Sequence, residues 1–308
     1  MSLLSLLTVL LVEHLRPLPY RRFVQEPLAR LADFLESRLN AGEQRQGVLA
    51  WCVGVGGLIA TAATISALLS GTSPLLGWLW DVFILYLAMG FRHFRERCNA
   101  VLLVLRRGEA AHAAGLLAAW QGGAAASQRP ADLARLTIEA TLAASHRHLF
   151  AVLVWFILLP GPCGAVLYRA SACFAEAWGR RQNAEFGDFG SFAQRSFAII
   201  DWLPARFTAA AFAIVGNFED AVYCWRSQTD RLSDDGLGIV LASGAGALGV
   251  RLEMLVNRTH AISERVVLGI GEEADVDFIE SAVGLVWRAL VLWALLLLLL
   301  GLAGLVGV

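Results

Sequence analysis

Two stretches without a single charge set the terms for the whole chain. Gly47 to Ser70 reads GVLAWCVGVGGLIATAATISALLS, and Ala289 to Val308 reads ALVLWALLLLLLGLAGLVGV. Each is long enough to cross a hydrocarbon core as a helix, which takes about 20 apolar residues. A backbone in lipid must satisfy its own polar groups, so such stretches fold as helices and not as open strands or loops. The composition agrees. Hydrophobic residues make up 57% and charged residues 17%, with mean hydropathy +0.60. The fold class expected is all-α: a polytopic integral membrane protein with cytoplasmic amphipathic helices, in a single domain over residues 1–308.

Between and around these spans the pattern changes. Met1 to Val12 is apolar but short of a span, and it lacks the basic start and cleavage site of a removable signal, so it reads as a helix dipping into the membrane. In Glu13 to Arg45, Leu28, Leu31, Phe34, Leu35 and Leu39 recur at helical spacing, which predicts an amphipathic helix on the core or the membrane surface. Gly71 to Pro74 is a turn, and Leu75 to Phe91 a second span holding Asp81. A lone acid in a span is a site candidate, but Trp78 and Trp80 beside it also suit a position at the interface. Arg92, Arg95, Arg97, Arg106 and Arg107 follow. With Arg16, Arg21, Arg22, Arg30, Arg38 and Arg45 they put both flanks of this hairpin in the cytoplasm.

Val101 to Trp120 predicts one soluble helix, Gly122 to Pro130 a loop, and Asp132 to Arg147 a further helix with Arg135 and Glu139 paired at i,i+4. His146-Arg-His148 could bind an anion or a metal, but reads better as the solvated end of that helix. His148 to Tyr168 is charge-free, but Pro160-Gly-Pro-Cys-Gly164 interrupts it. Either a straight span or a broken, re-entrant pair of helices satisfies that pattern.

The polar residues with the most to explain lie in Phe186 to Arg226. Apolar residues at Phe189, Phe192, Phe197 and Ile200 predict an amphipathic helix. Asp188 and Arg195, seven positions apart, would share its face. Pro204 lacks an amide hydrogen and disfavours the helical conformation at Leu203, so this helix should stop at Asp201-Trp202 and a second should run from Ala205 to Val215. Gly216 then ends it, and Asn217 with Asp220 forms a capping box for a third. Charge among Phe, Trp and Ala is costly unless paired. These charges are either structural ion pairs at helix ends or a polar site at the membrane face. The ligand-binding set expected is Glu139, Asp188, Arg195, Asp201 and Arg206, lining one pocket.

Several chemistries are excluded. Every basic residue is arginine, so there is no P-loop lysine, no Schiff-base lysine and no lysyl nucleophile. The 5 cysteines are scattered without a CxxC pair, which supports neither a zinc site nor a disulfide framework. A net charge of −1 gives no basic field for nucleic acid. Gly244-Ala-Gly246-Ala-Leu-Gly249 is formally GxGxxG but lacks the flanking strand of a dinucleotide fold. A tightly packed small-residue helix, or a loop near a ligand, fits it better.

Certain short blocks, in order, resemble the CobD/CbiB family of cobalamin-assembly membrane proteins and its sister AmpE. They are His14-Leu-Arg-Pro-Leu-Pro19, the helix around Arg135 and Glu139, Gly164-Ala-Val-Leu-Tyr-Arg-Ala170, Asp188-Phe-Gly190, Pro204-Ala-Arg-Phe-Thr208 and Ala245-Gly-Ala-Leu-Gly-Val-Arg-Leu252. The resemblance implies a multi-pass protein of the bacterial inner membrane. For the synthases it implies ATP-dependent joining of adenosylcobyric acid to an aminopropanol phosphate through an amide, with ATP and Mg²⁺. Here the chain differs from the synthase pattern. It has Ala143-Ala-Ser-His-Arg-His148 in place of Glu-Asn-Thr-x-Asp-Gly, Ala172-Cys-Phe-Ala175 in place of Asn-Thr-Leu-Asp, and Phe197-Ala198 in place of paired Asp. Asp201-Trp-Leu-Pro-Ala-Arg206 with Gly216, Glu219, Ala221 and Trp225 is similar to AmpE. The function expected is therefore an AmpE-like regulatory or sensor member of the superfamily; the synthase reaction is the alternative. Expected partners are the lipid bilayer, a corrinoid or other small-molecule ligand, and a membrane protein partner.

Overall fold

A computed structural model describes residues 2–15, 21–40, 42–121, 129–179, 187–228, 236–258 and 262–306. The His14 to Pro19 block, most of the Gly122 to Pro130 loop and Phe186 fall partly or wholly outside these residues. In chain order the helices are α1 Ser2–Leu15, α2 Glu26–Leu39, α3 Gln44–Thr72, α4 Pro74–Ala88, α5 Phe91–Arg106, α6 Ala110–Gln121, α7 Pro130–Ser145, α8 Ala151–Leu158, α9 Cys163–Gly179, α10 Ser191–Val215, α11 Phe218–Gln228 and α12 Gly236–Leu248. Strands β1 Val250–Arg258, β2 Ile262–Leu268 and β3 Glu272–Glu273 follow, and α13 Val276–Val306 ends the chain. The protein is thus an all-α polytopic membrane protein in outline. Among the described residues, four helical stretches are long and apolar enough to cross a membrane: Gln44–Thr72, Pro130–Leu158, Ser191–Val215 and Val276–Ala303. They carry exposed apolar side chains suited to lipid contact, such as Leu68 on α3 at 66% and Ile199 on α10 at 75% exposure.

The chain divides into two compact units: residues 1–90, 151–204 and 301–308, and residues 91–150 and 205–300. The first has its core where α2, α3 and α9 meet. Trp178 packs on Phe174 at 4.8 Å and on Phe189 at 5.0 Å, and its indole donates to the Ala32 carbonyl at 3.3 Å. Small residues of α3 permit this. A Cβ on Gly54 would stand 2.3 Å from the Phe174 ring, and one on Gly47 2.0 Å from the Phe189 carbonyl oxygen. Gly56 and Gly57, in the same helix, meet nothing within 4 Å.

The second unit packs α7, α11 and α12 with the distal half of α10. Phe150 meets Phe212 edge-on at 5.8 Å. The Gly244 to Gly249 block lies in the buried small-residue helix α12 and its C-terminal turn. A Cβ on Gly246 would come within 2.5 Å of the Asp220 carbonyl oxygen, so the glycine sets how closely α11 approaches.

The structure departs from the sequence expectations in several places. The helix expected over Val101 to Trp120 is interrupted, because Gly108 takes φ +77° between α5 and α6. Pro130–Leu158 is one helical run, not a helix and a separate span, with a π-helical turn at His146–Phe150 joining α7 to α8. Its interruption at Pro160 leaves a broken pair, α8 and α9. α4 stops at Ala88, and α13 begins at Val276, well before the apolar run at Ala289. A three-stranded sheet, ordered β2-β1-β3, was not expected. β1 runs antiparallel to β2, with Leu252 opposite Leu268, and parallel to β3. Its signal was the alternation of Val250, Leu252, Met254 and Val256.

The largest departure is α10. It continues through Pro204 where a stop was expected. Proline deprives the carbonyl four residues earlier, that of Ile200, of its helical donor. The Trp155 indole N–H takes that place at 3.0 Å. A neighbouring helix thus satisfies the freed backbone group, as helices in lipid require.

Candidate functional site

In the first unit the polar groups gather between α9 and the proximal half of α10. The Tyr168 hydroxyl donates to Asp201 at 2.8 Å; Tyr168 is fully buried and Asp201 is 3% exposed. The Tyr168 ring leans on Phe197 at 5.6 Å, which holds the hydroxyl in place. Next to it, Arg169 is 6% exposed and gives both Nε and Nη2 to the Ala88 carbonyl at the end of α4. A guanidinium there complements the carbonyl end of a helix. Sequence reasoning did not single out Arg169 or Trp155. The available signal was a lone arginine following an apolar run.

In the second unit, the π-helical turn carries His146 inward. It is fully buried, and its Nδ1 lies 3.0 Å from the Thr208 hydroxyl. The expectation that His146-Arg-His148 forms a solvated helix end therefore fails for His146: the extra residue of a π turn rotates it into the packing, while Arg147 stays exposed. Ser243 donates to the Ala209 carbonyl at 2.8 Å, tying α12 to α10. Arg135 pairs with Glu139 at 3.2 Å, as the i,i+4 spacing predicted, with side chains only 19% and 14% exposed.

The five residues expected to bind ligand divide between the units. Asp188, Arg195 and Asp201 belong to the first; Glu139 and Arg206 belong to the second. Asp188 sits in the turn before α10 and not on its face, where its carbonyl accepts from the Ser191 hydroxyl at 2.7 Å. Asp188 and Arg195 are exposed, Asp201 is buried and Arg206 is half-buried. Glu219 and Arg226 lie on the outer face of α11, where with Phe218, Val222, Tyr223 and Ser227 they line a shallow groove. Asn217 caps that helix, but only half of the expected capping box forms: the Asp220 N–H donates to Asn217 Oδ1 at 3.3 Å, while the Asn217 side-chain amide donates to the Asp220 carboxylate at 2.7 Å and the Asn217 backbone N–H donates to the Ala247 carbonyl at 3.0 Å.

Among the described residues, no three His, Cys, Asp or Glu side chains converge as metal ligands. They do not make an all-protein cage for Mg²⁺, which prefers one or two carboxylates together with substrate phosphates.

The Tyr168–Asp201 bond joins two of the sequence blocks singled out above, and the same blocks carry Arg169 and Pro204. The family model described as CobD/Cbib protein matches residues 21–286. The chain belongs to the CobD/CbiB family. It is 35% identical over 299 residues to the cobalamin biosynthesis protein CobD of Stutzerimonas stutzeri (strain A1501), covering 96% of each chain. It is 34% identical over 239 residues to CobD of Chromobacterium violaceum, covering 78% of this chain and 76% of that one. It is 26% identical over 270 residues to the cobalamin biosynthesis protein CbiB of Salmonella typhimurium, covering 85% and 83%. No solved structure matches it significantly. These matches show the CobD/CbiB family and do not show the AmpE-like detail expected from the sequence.

Proposed function

We propose that this CobD/CbiB member acts in cobalamin biosynthesis as an amide-forming synthase, joining a corrinoid carboxylate (adenosylcobyric acid) to the amine of an aminopropanol phosphate in the bacterial inner membrane. One observation carries this reading: end-to-end similarity, at 35% identity over 96% of both chains, to a protein named for cobalamin biosynthesis. ATP with Mg²⁺ would supply the phosphate that activates the carboxylate. The chain's own contribution is binding and orientation. Arg206, half-buried just beyond Pro204, has the planar donor fork that suits a carboxylate or phosphate. The buried Tyr168–Asp201 pair fixes α9 against α10 beside it in sequence.

A second reading, an AmpE-like regulator working through a membrane protein partner, has its own support. Where the synthases carry an acidic run, this chain places His146 in a buried hydrogen bond with Thr208, a structural tie with no carboxylate. Complementation separates the two. The chain is expressed in a strain lacking the cobinamide synthase and its membrane insertion verified. Rescue of cobalamin-dependent growth is expected. No rescue from a well-inserted protein overturns the synthase reading and favours the regulator.

A further inference from the structure

The break between α8 and α9 carries a feature that neither reading uses. Asp81 of α4 is half-buried, and its Oδ1 is fully buried with no hydrogen-bond partner among the described residues. Gly161, at φ +61° in the turn between α8 and α9, lies against it. A Cβ added there would stand 3.3 Å from the Ser66 hydroxyl of α3 and 3.6 Å from Asp81 Oδ1. Two helices thus bring oxygen atoms to one point, and the turn brings the glycine that leaves room there. A further oxygen source comes from the sequence itself. Pro160 and Pro162 have no N–H to offer the carbonyls of Phe156 and Leu158 at the end of α8. Asp81 lies seven residues into α4, about 10 Å from its start at 1.5 Å per residue, so the site is set well in from the α3–α4 turn.

A carboxylate in apolar surroundings is costly unless a counter-charge meets it. The carbonyl end of α8 and the amide end of α9 meet at this turn, and their opposite partial charges offset one another. That leaves the single negative charge of Asp81. One positive charge balances it; two would leave a buried excess. The oxygens at this point are a carboxylate and a hydroxyl, and the carbonyls freed by Pro160 and Pro162 belong to the adjoining end of α8; all are hard donors suited to an alkali cation. We propose that Asp81, with the Ser66 hydroxyl and the carbonyl end of α8, binds a small monovalent cation of the sodium type at the broken helix. Interrupted helices with an acid at membrane depth are the arrangement by which spanning proteins hold such ions.

The test uses the full chain, purified in detergent, with sodium itself as the probe. Dicyclohexylcarbodiimide adds to a buried protonated carboxyl group, and mass spectrometry locates the adduct. Asp81 is expected to be labelled in choline chloride at mildly acidic pH. Labelling should fall roughly tenfold once sodium exceeds its Kd tenfold, because the occupied site excludes the proton. Sodium should also raise the Tm by roughly 5 °C over choline at equal ionic strength when well above its Kd. Asp81→Asn should abolish that rise and Ser66→Ala should weaken it. Equal labelling in sodium and choline would make Asp81 a protonated acid and overturn the proposal. So would a sodium-dependent Tm rise that persists in Asp81→Asn. The labelling arm needs no variant, so a misfolded mutant does not remove the test.

Discussion

The indole nitrogen of Trp155 donates a 3.0 Å hydrogen bond to the carbonyl of Ile200, the group that Pro204 strips of its helical donor. The two partners are 45 residues apart in sequence. This bond supports the passage of α10 through its proline. Trp155→Phe keeps an aromatic ring, smaller than the indole, and removes the donor, which should cost about 1–3 kcal/mol because the Ile200 carbonyl is left unmet. Pro204→Ala restores the helix's own N–H. In that background Trp155→Phe should cost much less, and the double-mutant cycle, read from thermal unfolding in detergent, measures the difference. Equal costs in both backgrounds would show that Trp155 acts only by packing.

Tyr168→Phe retains the contact with Phe197 and deletes the donor to Asp201. It should lower stability by about 1–2 kcal/mol. Asp201→Asn keeps the shape and removes the charge. If Asp201 serves only the packing of α9 on α10, both variants will complement the synthase-deficient strain in proportion to the protein left folded. A loss of growth with Asp201→Asn beyond the loss of folded protein would place the carboxylate in the reaction.

Three glycines should respond to alanine in a set order. Gly246→Ala drives a methyl to 2.5 Å from a backbone oxygen and should destabilise by about 1–3 kcal/mol or more. Gly244→Ala meets the Leu142 side chain at 2.8 Å, which can rotate away, so it should cost less. Gly56→Ala meets nothing and should be neutral or stabilising, since alanine is the better helix former by about 1 kcal/mol. Unfolding midpoints in any other order would refute the packing described for α3 and α12.

Cys224 on α11 is fully buried, and burial, with the nearby Asp220 carboxylate second, pushes its thiol up to about 11. The folded value lies above the unfolded one, so the folded state holds the proton more tightly. This contribution is complete below the ordinary thiol range near 9 and is lost as pH rises through about 11. Labelling of Cys224 by a small thiol reagent should therefore be negligible at pH 8 in folded protein and rapid after denaturation. Fast labelling of the native protein at pH 8 would contradict the burial.

Sequence alone determined that this chain is helical and lives in a membrane. Charge-free runs such as Gly47 to Ser70 cannot be solvated, and lipid leaves a backbone few options besides the helix. Local chemistry was equally legible: Asn217 caps α11 at the Asp220 N–H, Arg135 meets Glu139, and Pro160 breaks the helix after α8. These are decisions made within a turn or two of chain. What tertiary structure decided depended on partners far away in sequence. Pro204 stops a helix when nothing else satisfies Ile200, and only packing could supply Trp155. His146 looked like a solvated end until a π turn and Thr208 drew it inside. Asp201 and Asp188 looked alike in the sequence, yet one is buried against Tyr168 and the other lies exposed in a turn. The reason is physical: spacing fixes which residues share a helical face, but burial and partnership depend on which other helix arrives there.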